Sequence, residues 1–147
     1  MPKFEIRPAR ESESAQIKSL IHIVGINPSG LGWRRFIVAV NDEGKVIACG
    51  QIKPHGADIL ELASIGTLPE YERQGLASAI IVELLKTPVR PLYLMCMEHN
   101  GTLYEKFGFH TIAEDEMPKY FRRIKKLFNI ADVVMRSKED LLIMKLG

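Results

Sequence analysis

Thr67-Leu68-Pro69-Glu70-Tyr71-Glu72-Arg73-Gln74-Gly75-Leu76-Ala77-Ser78 is the stretch on which the reading of this chain turns. Before it, Ile59 to Thr67 reads as a strand, with Leu60, Leu62 and Ser64 on one face and Glu61, Ala63 and Ile65 on the other. After it, Leu76, Ala77, Ile80, Ile81, Leu84 and Leu85 form one apolar stripe at helical spacing as far as Pro88. A buried strand, a tight turn and small residues opening a helix suit a diphosphate. The first amides of a helix have no internal acceptors, and the helix dipole places partial positive charge on them. Gly75 permits unusual backbone angles and close approach of a ligand, while Ala77 and Ser78 leave the first turn uncrowded. Neither the Gly-Lys-Ser/Thr ending of a P-loop nor GxGxxG is present, which argues against triphosphate and dinucleotide sites. Taken physically the stretch is an anion cradle, with an ordinary turn as the alternative reading.

Outward toward the N-terminus, Phe4 and Ile6 alternate with Glu5 and Arg7, the pattern of a short strand with one wet face. From Glu11 the spacing turns helical, with Ile17, Leu20, Ile21 and Val24 on one face before Gly25. Asn27 to Gly32 is loop material suited to lining a pocket. Phe36 to Val40 and Val46 to Ile52 read as a hairpin around Asn41-Asp42-Glu43-Gly44, with Pro54-His55-Gly56 as its stop signal. Toward the C-terminus, Leu92 to Met97 is a strand, Thr102 to Lys106 spans a helical turn or so, and Phe107 to Ile112 is a strand again. Tyr120, Phe121, Ile124, Leu127 and Phe128 keep helical spacing, opposed by Lys119, Arg122, Arg123, Lys125 and Lys126, before a final strand from Leu141 to Leu146. This order describes a single α/β domain over residues 1–147, a mixed central sheet flanked by helices.

The 147 residues, 46% hydrophobic and 26% charged, match one ordinary globular domain that needs no metal or disulfide to hold it together. Cys49 and Cys96 sit in apolar strand-like runs and read as buried free thiols. His22, His55, His99 and His110 show no metal spacing. The N-terminus lacks a signal-peptide pattern and no run of apolar residues is long enough to span a bilayer, so a cytoplasmic setting is expected. A net charge of +2 implies no polyanionic partner.

Two motifs carry a resemblance. Pro69-Glu70-Tyr71-Glu72-Arg73-Gln74-Gly75-Leu76-Ala77 resembles the acetyl-CoA motif of GNAT acetyltransferases, Q/R-x-x-G-x-G/A after a strand, and Leu103-Tyr104-Glu105-Lys106-Phe107-Gly108-Phe109 resembles that superfamily's later LYEKxGF signature. Their order, their separation and the order of elements are similar to the family's over nearly the whole chain. The resemblance implies the GNAT (acyl-CoA N-acyltransferase) fold. It also implies acetyl-CoA as cosubstrate and N-acetyl transfer to an amine, small molecule or protein, by direct attack through a tetrahedral intermediate. It carries Arg73, Gln74, Gly75, Leu76, Ala77 and Ser78 over as pyrophosphate contacts, and the main chain of Ile65, Gly66 and Thr67 as the partner of the pantetheine arm. Asn100 is carried over beside them, although it stands four residues before Tyr104 where the family has about seven. Glu72 stands where the motif has Gln or Arg, with Arg73 one position later.

Acetyl transfer needs a neutral amine to attack the thioester and a proton for the departing thiolate. By resemblance Tyr104 occupies the general-acid position, and an unperturbed phenol is protonated at neutral pH; the alternative is a packed aromatic beside Phe107. Glu61 is the candidate base, because a carboxylate on an otherwise apolar strand is costly unless solvated or paired. Its alternative is a pairing with a neighbouring Lys or Arg. Cys96 lacks a histidine partner for an acetyl-enzyme route, and His99 lies near the segment that would meet substrate. The acceptor pocket is expected from Asn27 to Arg35 and from Met117 to Phe128. The basic helix over 118–128 is expected to be a solvated face, with cover for the acceptor pocket or contact with the coenzyme's 3′-phosphate as other readings. Competing functions are an acyl-CoA-binding sensor without turnover and a nucleic-acid or protein binding module acting through that helix. An amine partner is expected, with a homodimer allowed, and neither nucleic acid nor membrane.

Overall fold

The computed structural model describes residues 3–135 and 139–147. In chain order the elements are β1 (Phe4–Pro8), α1 (Ser14–Val24), β2 (Phe36–Asn41), β3 (Val46–His55), β4 (Ile59–Thr67), α2 (Leu76–Leu85), β5 (Leu92–Met97), α3 (Gly101–Glu105), β6 (His110–Thr111), α4 (Lys119–Met135) and β7 (Leu141–Leu146). The strands form one mixed seven-stranded sheet in the order β1-β2-β3-β4-β5-β7-β6. β4 and β5 run parallel, with Glu61 opposite Tyr93, while β1 with β2, β2 with β3, β5 with β7 and β6 with β7 are antiparallel. This is the α/β architecture expected from the sequence.

The chain gathers into two compact units. The first holds the residues up to Lys53 together with Leu62–Pro88, and the second holds Pro54–Glu61 together with Val89–Gly147. In the first, Ile17, Leu20 and Ile21 of α1 and Leu76, Ile80 and Ile81 of α2 are buried with Val38, Ala39, Ile47 and Ala48 of the hairpin. The helical spacing read from Glu11 is split, since Glu11–Glu13 forms a 3-10 turn and α1 starts at Ser14. Glu13 is drawn inward there by Arg7, whose Nη1 and Nη2 donate to its two oxygens at 2.9 and 2.7 Å.

In the second unit Tyr93, Ile112, Met117, Phe121 and Ile143 make the core, flanked by Ile59, Met95, Tyr120 and Leu141. Four sequence readings need correction. β3 continues to His55, past the expected stop, because proline removes a donor but favours extended backbone before it. Only His110–Thr111 of the expected 107–112 strand is strand. The amides of Phe107 and Phe109 both donate to Tyr104 O, so the end of α3 captures this backbone before a neighbouring strand can. On α4 the apolar stripe is buried mainly at Phe121, whereas Leu127 and Ile130 are exposed. Nor is the basic face uniformly solvated, since Lys125 Nζ donates to Leu141 O at 2.6 Å and pairs with Asp140, and Arg122 Nη2 donates to Met117 O at 2.9 Å.

Candidate active site

The first unit carries the cradle. β4 ends at Thr67, a 3-10 turn covers Pro69–Tyr71, and the chain then bends through left-handed backbone at Arg73 (φ 63°) and Gly75 (φ 78°) into α2. Gly75 is the N-cap, so no side chain caps this helix. Ala79 N is the first amide with a helical acceptor, Gly75 O at 3.0 Å, and the amides of Leu76, Ala77 and Ser78 are left without one. A Cβ on Gly75 would meet nothing within 4 Å, so the glycine serves the backbone angle and the space beside it is open. Glu72, Arg73 and Gln74 are exposed on the turn, while Leu76 is buried and anchors the helix.

Upstream, the expected alternation along β4 breaks at Ser64, whose φ is 58°. Its hydroxyl accepts from Gln51 Nε2 at 2.8 Å and its carbonyl from Cys49 Sγ at 3.4 Å. Gln51, fully buried, also donates to Gly30 O at 3.0 Å and accepts from Arg35 Nε at 3.0 Å. This network fixes the bend ahead of Ile65, Gly66 and Thr67 and ties it to the 27–35 loop. A Cβ on Gly66 would lie 3.1 Å from Leu20 Cδ2, so α1 packs closely there. Sequence reasoning missed Gln51; its signal was a lone amide in the apolar run Ala48-Cys49-Gly50-Gln51-Ile52. Pro28, Leu31, Gly32 and Trp33 of the loop line a cavity of about 590 Å³ with Ser14 and Lys18 of α1; of the two segments expected to form the acceptor pocket, only the 27–35 loop lines it.

The second unit carries Glu61, Asn100 and Tyr104. Glu61 is 4% exposed and its Oε1 lies 2.6 Å from Nε2 of His55, at the end of β3. This histidine partner was not among those the sequence reading considered for Glu61, which were Lys and Arg. Tyr120 of α4 stacks on His55 with centroids 3.8 Å apart and planes 23° off parallel, and Phe121 meets the ring edge-on at 6.1 Å. Burial, and then the charge of Glu61, raise the Tyr120 phenol above its ordinary value. Neither His55 nor Tyr120 was singled out as a functional residue from sequence, because nothing in spacing reveals that they meet Glu61.

Tyr104 is buried and packs edge-on against Phe109 at 6.3 Å. Burial, and to a smaller degree Cys96, push its phenol up to about 12, so it stays protonated at neutral pH. Among the described residues its hydroxyl has no hydrogen-bond partner. Cys96 is pushed up to about 11 by burial and then Glu139, and its thiol faces Met144 Sδ at 3.9 Å, which leaves it a poor nucleophile. Asn100 is exposed and precedes α3 without a side-chain cap bond. His99 is held by Glu139 through both its amide and its ring. Among the described residues no group of His, Cys, Asp and Glu could hold a metal, and no helix is long and apolar enough to cross a membrane.

Residues 32–111, more than half of the chain, match the family model described as an acetyltransferase (GNAT) domain. The chain belongs to the GNAT acetyltransferase family. Solved structures share its fold. The N-acetylglutamate synthase of Neisseria gonorrhoeae, complexed with coenzyme A and N-acetyl-glutamate, is 19% identical with a TM-score of 0.69, over 99% of this chain but 35% of its own. The GNAT chain thus spans about a third of that synthase. A Mycobacterium tuberculosis protein solved with CoA is 20% identical over 97% of this chain and 98% of its own, with a TM-score of 0.70. A ribosomal-protein alanine N-acetyltransferase of Escherichia coli is 22% identical over 98% and 93%, with a TM-score of 0.67. No curated protein matches the sequence.

Proposed function

We propose that this GNAT chain is an N-acetyltransferase that moves acetyl from acetyl-CoA to the amine of a small molecule or protein, in the cytoplasm, with residues 1–147 acting as one catalytic domain. The observation that carries the reading is the α2 N-terminus, where three amides lack acceptors and the cap supplies no side chain. A diphosphate fits such a site, because several hydrogen bonds and the helix dipole act on it at once. Leu76, Ala77 and Ser78 would hold it through their main chain, Arg73 and Gln74 would flank it, and Glu72 is exposed and turned into no ion pair among the described residues. The main chain of Ile65, Gly66 and Thr67 would receive the pantetheine arm, and Asn100 is a further candidate contact for the coenzyme by the family resemblance. When bound, acetyl-CoA supplies the thioester carbonyl that an amine attacks.

The chain's own part is to move protons. Tyr104 holds its phenolic proton at neutral pH and has no acceptor for it among the described residues, the condition a general acid needs. Glu61, buried on β4, is the base or the partner of one. The CoA-bound neighbours support the coenzyme, and the amine-acetylating ones support the acceptor class.

Melting curves with and without acetyl-CoA, followed by an amine panel read as released thiol, test the proposal. Acetyl-CoA is expected to raise Tm of the wild type and to leave Gly75→Asp unmoved, because an aspartate at φ 78° is strained and repels a diphosphate. An equal rise in both would sink the cradle assignment. Coenzyme binding without turnover on any amine would leave a sensor instead of an enzyme.

A further inference from the structure

We propose that His55 takes the proton from the acceptor amine, with Glu61 setting its tautomer and Tyr120 holding its ring in place. The inference rests on the reading of the chain as an amine acetyltransferase. It starts from the pair itself. Nε2 of His55 is 2.6 Å from a carboxylate oxygen, and a carboxylate only accepts, so Nε2 carries the hydrogen, and in the neutral ring Nδ1 then carries the lone pair. Among the described residues Nδ1 has no hydrogen-bond partner.

Packing then fixes the ring. Tyr120 covers its face at 3.8 Å and Phe121 closes it edge-on at 6.1 Å, both from the first turn of α4. Among the described residues, the groups in contact with the imidazole are Glu61 from β4 and these two aromatics from α4, none of them a cation. Of the pair, the imidazole is the more accessible, its side chain 13% exposed against 5% for Glu61. An ammonium therefore reaches the ring before it reaches the carboxylate.

The step is a proton transfer. An N–H bond of the acceptor ammonium breaks, its electron pair stays on nitrogen as the nucleophile, and the proton forms a new bond at Nδ1. The ring becomes an imidazolium whose Nε2–H is held by the Glu61 carboxylate, so the pair ends with compensating charges. A carboxylate that orients and stabilises a histidine base is a known division of labour in proton transfer.

Two measurements decide it. Long-range ¹H–¹⁵N spectra of the labelled full chain at neutral pH, without any acceptor, should show His55 in its Nε2–H form, and Glu61→Gln should disturb that form. A ring protonated at Nδ1 instead overturns the proposal. With an alkyl amine found in the panel, His55→Ala should lower kcat/KM about 100-fold at pH 7. That deficit should shrink below tenfold near pH 10, where an alkyl amine sheds its own proton. A loss within twofold, or one of equal size at both pH values, overturns the role. Wild-type silence across the panel overturns the acetyltransferase reading and this role with it, whereas turnover that survives His55→Ala overturns the role alone. Tyr120→Phe should stay near wild type while Tyr120→Ala falls at least fivefold in kcat with coenzyme-induced stabilisation unchanged. A Tyr120→Phe as impaired as the alanine variant would move the function of Tyr120 from its ring to its hydroxyl and overturn the positioning part.

Discussion

Glu13 in the first unit and Glu61 in the second are buried alike, 6% and 4% exposed, but they keep different company. Glu13 accepts a two-pronged bond from Arg7 and a further bond from the Arg10 amide at 2.8 Å. Each partner moves the other's titration away from neutrality, since the guanidinium hydrogen bond holds Glu13 below the usual carboxylate range and Glu13 raises Arg7. A guanidinium does not surrender its proton in a protein, so at neutral pH this pair keeps its charges and its work is mechanical. Glu61 faces an imidazole, a ring with two nitrogens that can each donate or accept a hydrogen. The contrast teaches that a buried carboxylate announces nothing by its burial. What it can do is decided by whether its partner is able to change protonation state.

The comparison can be broken at several points. The largest effect is expected for Glu61→Gln, which should lower kcat/KM by up to about 100-fold, no more than the loss of the His55 base through which it acts; Glu13→Gln should stay within about twofold in the same steady-state assay. Similar losses in both would erase the distinction. Next, Tyr104→Phe removes one proton donor and keeps the ring, so kcat should fall about 100-fold while the acetyl-CoA dissociation constant holds in calorimetry. Turnover within twofold of wild type would make Tyr104 a packing residue.

Arg7→Ala is expected to act on stability alone. It leaves a buried carboxylate with only the Arg10 amide and should cost about 3 kcal/mol in denaturant unfolding, with turnover nearly unchanged. A smaller effect follows with pH. Because the folded-state value of Glu13 lies below its ordinary 4.5, the pair's contribution is complete above that pH and is lost as pH falls through the depressed value. The stability gap between wild type and Arg7→Ala should therefore narrow below about pH 4.5, and a gap that is constant down to acid unfolding would contradict it. Least of all should follow from replacing Arg122 and Arg123 with Ala. Arg122 serves the Met117 carbonyl and Arg123 is exposed, so the acetyl-CoA dissociation constant should change less than twofold in calorimetry.

Much of the fold was legible because strands and helices here follow simple periods. Leu92 to Met97 and Leu141 to Leu146 are strands with the bounds read from the sequence, and α2 begins at Leu76 as its glycine signalled. What escaped depends on register and on competition for backbone groups. His55 and Glu61 meet across the bend between β3 and β4, and no periodicity reports which residues face one another there. The 107–112 strand shrank because the carbonyl of Tyr104 captured two amides. A helical wheel assigned Lys125 to solvent, yet its long stem lets the ammonium reach Leu141 O. The cradle was readable because a turn and a helix start are local, whereas the histidine–glutamate pair is made by tertiary structure.

One consequence of the bare helix end at Gly75 concerns the life of the protein rather than its chemistry. A serine or aspartate at the N-cap would have finished the helix from within, typically for about 1 kcal/mol. Here the chain leaves that completion open, and if acetyl-CoA supplies it as proposed, the ligand becomes a folding factor. A ligand present at a hundredfold over its dissociation constant adds about 2.7 kcal/mol to the native state. The abundance of the protein would then follow the cell's supply of acetyl-CoA, since the unliganded fraction is the one that opens to proteases. The same chain purified without coenzyme should look fragile beside its counterpart in the cell.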